Sequence, residues 1–151
     1  MTYPISRRRG LAILGAAALL AGGGATRPAD AADGETGASH LSAEEAYRRA
    51  KAGELILIDV RRPEEWAATG SGEGAVRLDM RRPDFVTELQ RLVSEDPNRP
   101  IAMICARGNR SAWVSAQLAH AGFGTVLDVS EGMLGSQSGP GWLARGLPVI
   151  K

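Results

Sequence analysis

The chain has 151 residues, enough for one domain. Its 18 basic and 17 acidic side chains leave a formal net charge of +1, and 44% of its residues are hydrophobic. Nothing in this balance forms the basic face that a nucleic-acid footprint requires, so that class of partner is excluded.

The N-terminus reads as an export leader. Arg7, Arg8 and Arg9 make a cationic start, and Gly10 to Ala21 is an uncharged run. That run is too short and alanine-rich to span a bilayer but suits a signal-peptide core. Ala29-Asp30-Ala31 is an A-x-A signal, placing cleavage before Ala32, with Gly23-Gly24-Ala25 a weaker site. Ser6 to Leu11 also resembles a twin-arginine signal, which leaves that route open beside the general secretory one. No cysteine closes the apolar run, so a lipoprotein anchor is not expected. The expectation is a signal peptide over residues 1–31, a periplasmic mature chain and no stable membrane anchor after cleavage. Residues 1–31 hold four arginines and one aspartate, so residues 32–151 hold 14 basic and 16 acidic side chains, a net −2.

Residues 32–40 are polar and glycine-rich and read as a tail, with the folded domain over 41–151. Ser42-x-x-Glu45 is a capping box for a helix from about Ala43 to Lys51. Leu55 to Val60 reads as a buried strand, and Pro63 to Trp66 starts a short helix. The glycines of 69–76 mark a loop leading to a strand near Ala75–Leu78. Asp84 to Glu95 places Phe85, Leu89 and Leu92 at helical spacing, ended by Asp96-Pro97-Asn98. Ile101 to Ile104 is the next buried strand, followed by a helix from about Arg110 to Ala121 and a strand over Val126–Val129. The remainder is rich in glycine and proline, with one helical turn near Trp142. Short apolar strands alternating with helices predict an α/β three-layer sandwich: a mostly parallel central sheet with helices on both faces. Ligands bind such folds at the carboxyl ends of the strands.

Cys105, the only cysteine, sits at such a point in Ile104-Cys105-Ala106-Arg107-Gly108-Asn109-Arg110-Ser111. One cysteine cannot form an internal disulfide. It is either a small buried hydrophobe or a nucleophile. The thiolate is the reactive form, and helix N-termini and neighbouring cations stabilise thiolates. Arg107 and Arg110 supply charge, and Gly108 permits the tight curl of an anion-binding nest. Acyl transfer is not expected, since it needs a base beside the thiol. His40 lies in the tail and His120 near the far end of the following helix; both read as surface or core residues. One Cys and two scattered His exclude a zinc site, so neither metal nor cofactor is expected. Cys105 to Arg110 is a Cys-x4-Arg loop, one residue shorter than the phosphate-enclosing Cys-x5-Arg loop of cysteine phosphatases, and better fits a terminal sulfur on Cys105.

The segment Cys105 to Ser111 resembles the active-site loop of single-domain rhodaneses, a sulfurtransferase family. Leu57-Ile58-Asp59-Val60-Arg61 with Pro63, Glu65 and Trp66 is similar to the family's D-V-R-x-x-x-E-aromatic segment. Gly70 with Gly74-Ala75 is similar to its G-H-I-P-G-A segment; Leu118, Gly122-Phe123, Val126 and Gly132 follow its pattern; Gly146-Leu147-Pro148-Val149 matches its ending. The resemblance implies a rhodanese-like fold and a Cys105 persulfide, formed from a small anionic sulfur donor such as thiosulfate. A thiol, a protein thiol included, or cyanide would take the sulfur. It further implies that N–H groups of Ala106, Arg107, Gly108, Asn109, Arg110 and Ser111 hold the persulfide. In this reading Arg110 braces the loop, Arg107 draws in the donor, Ser111 caps the helix, and Asp59 and Arg61 support the strand end. The alternative is a non-catalytic rhodanese-like sulfur carrier or binding module in the periplasm; an arsenate reductase or phosphatase of related loop type is disfavoured by loop length. Two departures stand out. Ser71 occupies the usual histidine position, so its contact is missing or replaced, and Glu131-Gly132 replaces Gly-Gly. The long Ser136-Gln137-Ser138-Gly139-Pro140 tail is expected to line the pocket, and Trp66, Trp113 and Trp142 to be core or rim.

Overall fold

The computed structural model describes residues 39–151. The expected signal peptide and cleavage site, and most of the expected polar tail, lie outside these residues. Five parallel strands form the central sheet: β1 (Ser39–Leu41), β2 (Ile56–Asp59), β4 (Val76–Arg77), β5 (Ile101–Ile104) and β6 (Val126–Val129), in the order β1-β6-β5-β2-β4. A separate antiparallel pair joins β3 (Ser71–Gly72) to β7 (Val149–Ile150). The helices are α1 (Ala43–Lys51), α2 (Pro63–Thr69), α3 (Phe85–Val93), α4 (Asn109–His120) and α5 (Gly141–Ala144). The expected α/β fold with a mostly parallel sheet and helices on both faces is what the chain adopts.

The central strands read as continuous apolar runs because both faces of the sheet are covered. Alternate residues of β2 and β5 feed two cores. Ile58, Met103 and Ile101 pack with Phe85 and Leu89 of α3 and with Val114 and Leu118 of α4. Leu57, Ala102 and Ile104 pack on the other face with Ala43 and Ala46 of α1 and Trp142 of α5. Trp142 is fully buried, donates its Nε1–H to Pro148 O at 2.9 Å, and meets Tyr47 edge to face with centroids 5.6 Å apart. Trp113, in contrast, is exposed on α4. Among the described residues, no helix is long and apolar enough to cross a membrane.

Several expectations shift. The polar tail does not extend to residue 40: Ser39 and His40 pair with Leu127 and Asp128 in β1. Backbone pairing with a parallel neighbour needs no apolar side chain, so the pattern gave no sign of it. The glycine-rich stretch after α2 contributes β3, and the C-terminal segment contributes β7. The capping box of α1 is half made. Ser42 Oγ accepts from Glu45 N at 3.1 Å, but the Glu45 carboxylate turns instead to Arg48, at 2.9 and 2.7 Å.

Candidate active site

Strand β5 carries Cys105 to the carboxyl edge of the sheet, where it is 1% exposed. The backbone beyond it is held from outside. Cys105 O accepts from Met133 N and Ala106 O from Leu134 N, both at 2.8 Å. In a trans peptide the N–H points opposite to the preceding carbonyl. Fixing these two carbonyls on residues 133 and 134 therefore turns the N–H groups of Ala106 and Arg107 the other way. No acceptor among the described residues takes the N–H of Ala106, Arg107 or Gly108. The first turn of α4, beginning at Asn109, adds N–H groups that have no intrahelical partner. The result is a curl of donors beside the sulfur, suited to a negative charge there.

Two glycines permit this curl. Gly108 precedes α4 with φ +85°, and a Cβ on it would run into Ser130 O. Gly132 has φ +66°, and a Cβ there would lie 2.6 Å from Ala106 O and 2.8 Å from Arg107 N. The 132–134 segment approaches the loop closely enough to bond its carbonyls only because residue 132 has no side chain.

Ser111 is buried, with Oγ 3.5 Å from Cys105 Sγ and 3.0 Å from Gly108 O. This corrects the expected helix cap. Gly108 is the cap residue, and Ser111, one turn in, instead has its hydroxyl within reach of both Gly108 O and the sulfur, its single proton serving one of them at a time. Arg110 reaches back over the loop to α2: its Nη1 and Nη2 donate to Glu65 Oε2 and Oε1 at 2.8 and 2.6 Å. Glu65 Oε2 also accepts from Arg62 N at 3.0 Å, tying the pair to the start of α2. The Arg110 bond is the main reason the Glu65 carboxyl is pulled down to about 2. The guanidinium is raised in turn, chiefly by Glu65, with the nearby Cys105 adding to it. Glu65 was legible only as part of a motif; its partner lies 45 residues away.

Beneath the loop, Asp59 and Arg61 form a fully buried pair at the end of β2. Arg61 Nε lies 2.9 Å from Asp59 Oδ1 and Nη2 lies 2.7 Å from Oδ2; the remaining guanidinium donors reach Thr69 Oγ1 at 2.8 Å and Gly70 O at 2.7 Å. At Ser71, where the usual contact was expected to be missing or replaced, the side chain makes one of its own: its Oγ donates to Asp59 Oδ2 at 2.7 Å. Glu131 is likewise structural. It is buried, takes both Arg145 nitrogens at 2.7 Å and accepts from Gly141 N at 3.0 Å, anchoring the C-terminal segment behind the loop. Arg145 holds its carboxyl below the usual range.

Arg107 is exposed and has no ion-pair partner among the described residues. With Gly108 and Asn109 it lines an open cleft of about 650 Å³, completed by His40, Ser130 and Gln137 among others; Cys105 itself does not line it. Ser136 and Ser138 of the long tail also line it, as expected.

A family model described as the rhodanese-like domain matches residues 42–138. The fold is similar to the polysulfide-sulfur transferase homodimer of Wolinella succinogenes, with TM-score 0.55 and 27% identity over 75% of this chain and 78% of that one. It is similar to thiosulfate sulfurtransferase from Pseudomonas aeruginosa, with TM-score 0.60 and 25% identity over 75% of this chain, although this covers only 20% of that longer chain. A rhodanese-related protein from Thermoplasma volcanium matches with TM-score 0.53 and 28% identity, over 74% of this chain and 97% of that one. With the family model spanning most of the folded residues and the cysteine loop inside it, the chain belongs to the rhodanese-like domain family.

Proposed function

We propose that the protein is a sulfurtransferase that carries a sulfane sulfur on Cys105. The carrying observation is the loop itself. Carbonyls of Cys105 and Ala106 are pinned to Met133 and Leu134, so the N–H groups of Ala106 and Arg107 point the other way, without an acceptor among the described residues. That arrangement stabilises a terminal anionic sulfur better than a neutral thiol. In the first half-reaction the Cys105 thiolate attacks the outer sulfur of thiosulfate. The S–S bond of the donor breaks, sulfite leaves with its electron pair, and a persulfide anion remains on Sγ. A thiophilic acceptor then removes the outer sulfur. Similarity to two sulfur transferases supports this reading. The leader-like sequence over residues 1–31 supports a periplasmic site of action, where thiosulfate-class anions are the suited donors.

The test is intact-protein mass spectrometry after incubation with thiosulfate, followed by peptide mapping. One added sulfur on Cys105, absent from Cys105→Ser, is the expected result. A folded wild-type protein that gains no sulfur would reject the proposal in favour of a non-catalytic module. N-terminal sequencing from fractionated cells tests location: a start near Ala32 in the periplasm is expected, and an intact Met1 in the cytosol would exclude export.

A further inference from the structure

Two hydrogen-bonded chains of peptide units run from α5 to the cysteine loop. In the first, Trp142 N donates to Gly132 O at 3.0 Å, and Met133 N, in the same peptide unit as that carbonyl, donates to Cys105 O at 2.8 Å. In the second, Leu143 N donates to Met133 O at 3.0 Å, and Leu134 N donates to Ala106 O at 2.8 Å. None of these peptides is cis, so in each unit the N–H and the C=O point opposite ways. The chains therefore end on the N–H groups of Ala106 and Arg107, which have no acceptor among the described residues. Hydrogen bonds joined in series polarise one another, so each chain makes its last N–H a stronger donor than an isolated amide. The far end of both chains is fixed by Glu131. This residue is 2% exposed; its Oε2 accepts from Gly141 N, next to Trp142, at 3.0 Å, and its two oxygens take Arg145 nitrogens at 2.7 Å. Pro140, ahead of α5, offers no side-chain cap, and the Glu131 carboxylate holds the start of the helix instead. Gly139 makes room for it, since a Cβ there would lie 2.6 Å from the carboxyl carbon.

We propose that Glu131 is a positioning residue for sulfur transfer, holding α5 so that the two peptide chains aim and strengthen the Ala106 and Arg107 N–H groups for the outer sulfur of the Cys105 persulfide. The proposal rests on the sulfurtransferase reading and adds to it the part of the fold that organises the loop from behind. Glu131 touches neither sulfur nor donor. It acts through the N–H groups of 141–143 and the peptides of 132–134, and Arg145 offsets its charge. Donors fixed in this way need no reorganisation as negative charge gathers on the outer sulfur, which is where a preset donor contributes most. The glycine expected at residue 131 from the resembled pattern would leave Gly141 N and Arg145 without this partner.

The experiment reads the chains by nuclear magnetic resonance. Isotope-labelled protein is loaded with thiosulfate, loading is verified by mass spectrometry, and amide spectra are compared before and after. Loading is expected to move the Ala106 and Arg107 amide protons downfield most, Met133 and Leu134 less, and Trp142 and Leu143 least. Gly132, whose N–H goes to Val129 O outside both chains, is expected not to follow. In Glu131→Gln the Ala106 and Arg107 shifts on loading should shrink. The maximum single-turnover loading rate should fall about 10-fold at an unchanged half-saturating thiosulfate concentration, short of the roughly 100-fold or more that loss of a donor itself costs. Arg145→Lys, which keeps a cation for the carboxylate, should lose less than Arg145→Ala. Shifts confined to Ala106 and Arg107 in the wild type overturn the peptide chains. Wild-type shifts and loading rate in folded Glu131→Gln overturn the positioning role and leave the sulfurtransferase reading intact, as does a raised half-saturating concentration at an unchanged maximum rate. Should Glu131→Gln not fold, the wild-type shift pattern and the two Arg145 variants decide the same point. Failure of the wild-type protein to load at all overturns both readings.

Discussion

Arg110 grips both carboxylate oxygens of Glu65, at 2.8 and 2.6 Å, and so joins the start of α4 to α2 across the cysteine loop. A planar guanidinium fork makes this contact and an ammonium does not. Arg110→Lys is therefore expected to slow sulfur loading of Cys105 markedly while costing only about 1 kcal/mol of stability, since the pair is partly exposed. Rapid-quench loading with thiosulfate and urea unfolding measure the two effects. Loading at the wild-type rate would show that the brace is dispensable.

The same pair predicts an acid limit. The Glu65 carboxyl is depressed to about 2, first by its bond to Arg110. A depressed carboxyl contributes stability that is complete above the ordinary glutamate value of about 4.3 and fades as pH falls toward the folded value. Glu65→Gln should remove that part of the pH dependence. Unfolding curves of both proteins recorded across mildly to strongly acid pH should converge at the acid end; parallel curves would place the acid sensitivity elsewhere.

Gly132 offers the most direct test of the loop architecture. A methyl group at residue 132 would lie 2.6 Å from Ala106 O, on backbone that cannot yield cheaply, and its φ of +66° is unfavourable for alanine. Gly132→Ala is expected to cost about 1–3 kcal/mol and to weaken the bonds that hold the Cys105 and Ala106 carbonyls outward. Loading should fall more than stability alone explains. An undiminished loading rate in the folded variant would mean that the donors stay aligned without those bonds.

What the sequence revealed, and what it hid, follows from the range of the forces involved. Helix α1 and strands β5 and β6 were legible to the residue, because capping, apolar runs and glycine stops are local signals. The Cys105 loop was legible for the same reason. Strands β1, β3 and β7 are only two or three residues long and exist through pairing with distant backbone, which leaves no periodicity to read. Side-chain partnerships were hidden likewise. His40 meets Ser130 across 90 positions, and its apparent place in a polar tail concealed its place beside the loop. Glu131 replaced a glycine of the expected pattern, and its purpose appears only when Arg145 folds back onto it.

Ser71 tests whether a serine suffices where a histidine was expected. Its hydroxyl is buried and donates to Asp59 Oδ2, the oxygen that also receives Arg61 Nη2. Ser71→Ala leaves the buried carboxylate one donor short, which is expected to cost about 1–3 kcal/mol. Ser71→Thr, which keeps the hydroxyl, should recover part of that loss. Urea denaturation compares the three proteins; an alanine variant as stable as the wild type would show that Arg61 alone satisfies Asp59.

Arg107 separates recruitment from chemistry. It is exposed, unpaired among the described residues, and on the rim of the cleft beside the loop, whereas Arg110 is engaged with Glu65. A free surface cation attracts an anionic donor before and during the reaction alike, so its removal subtracts binding common to the ground and transition states. Arg107→Ala should therefore raise KM for thiosulfate several-fold with little change in kcat, and leave the thermal midpoint where it was. Because the attraction is electrostatic and solvent-exposed, it should also be screened: the wild-type KM should rise with ionic strength, and the variant's should respond less. Steady-state kinetics at two salt concentrations measure all of this. A fall in kcat at unchanged KM would instead move Arg107 into the transition state, and identical salt dependence in the two proteins would remove it from donor recruitment altogether.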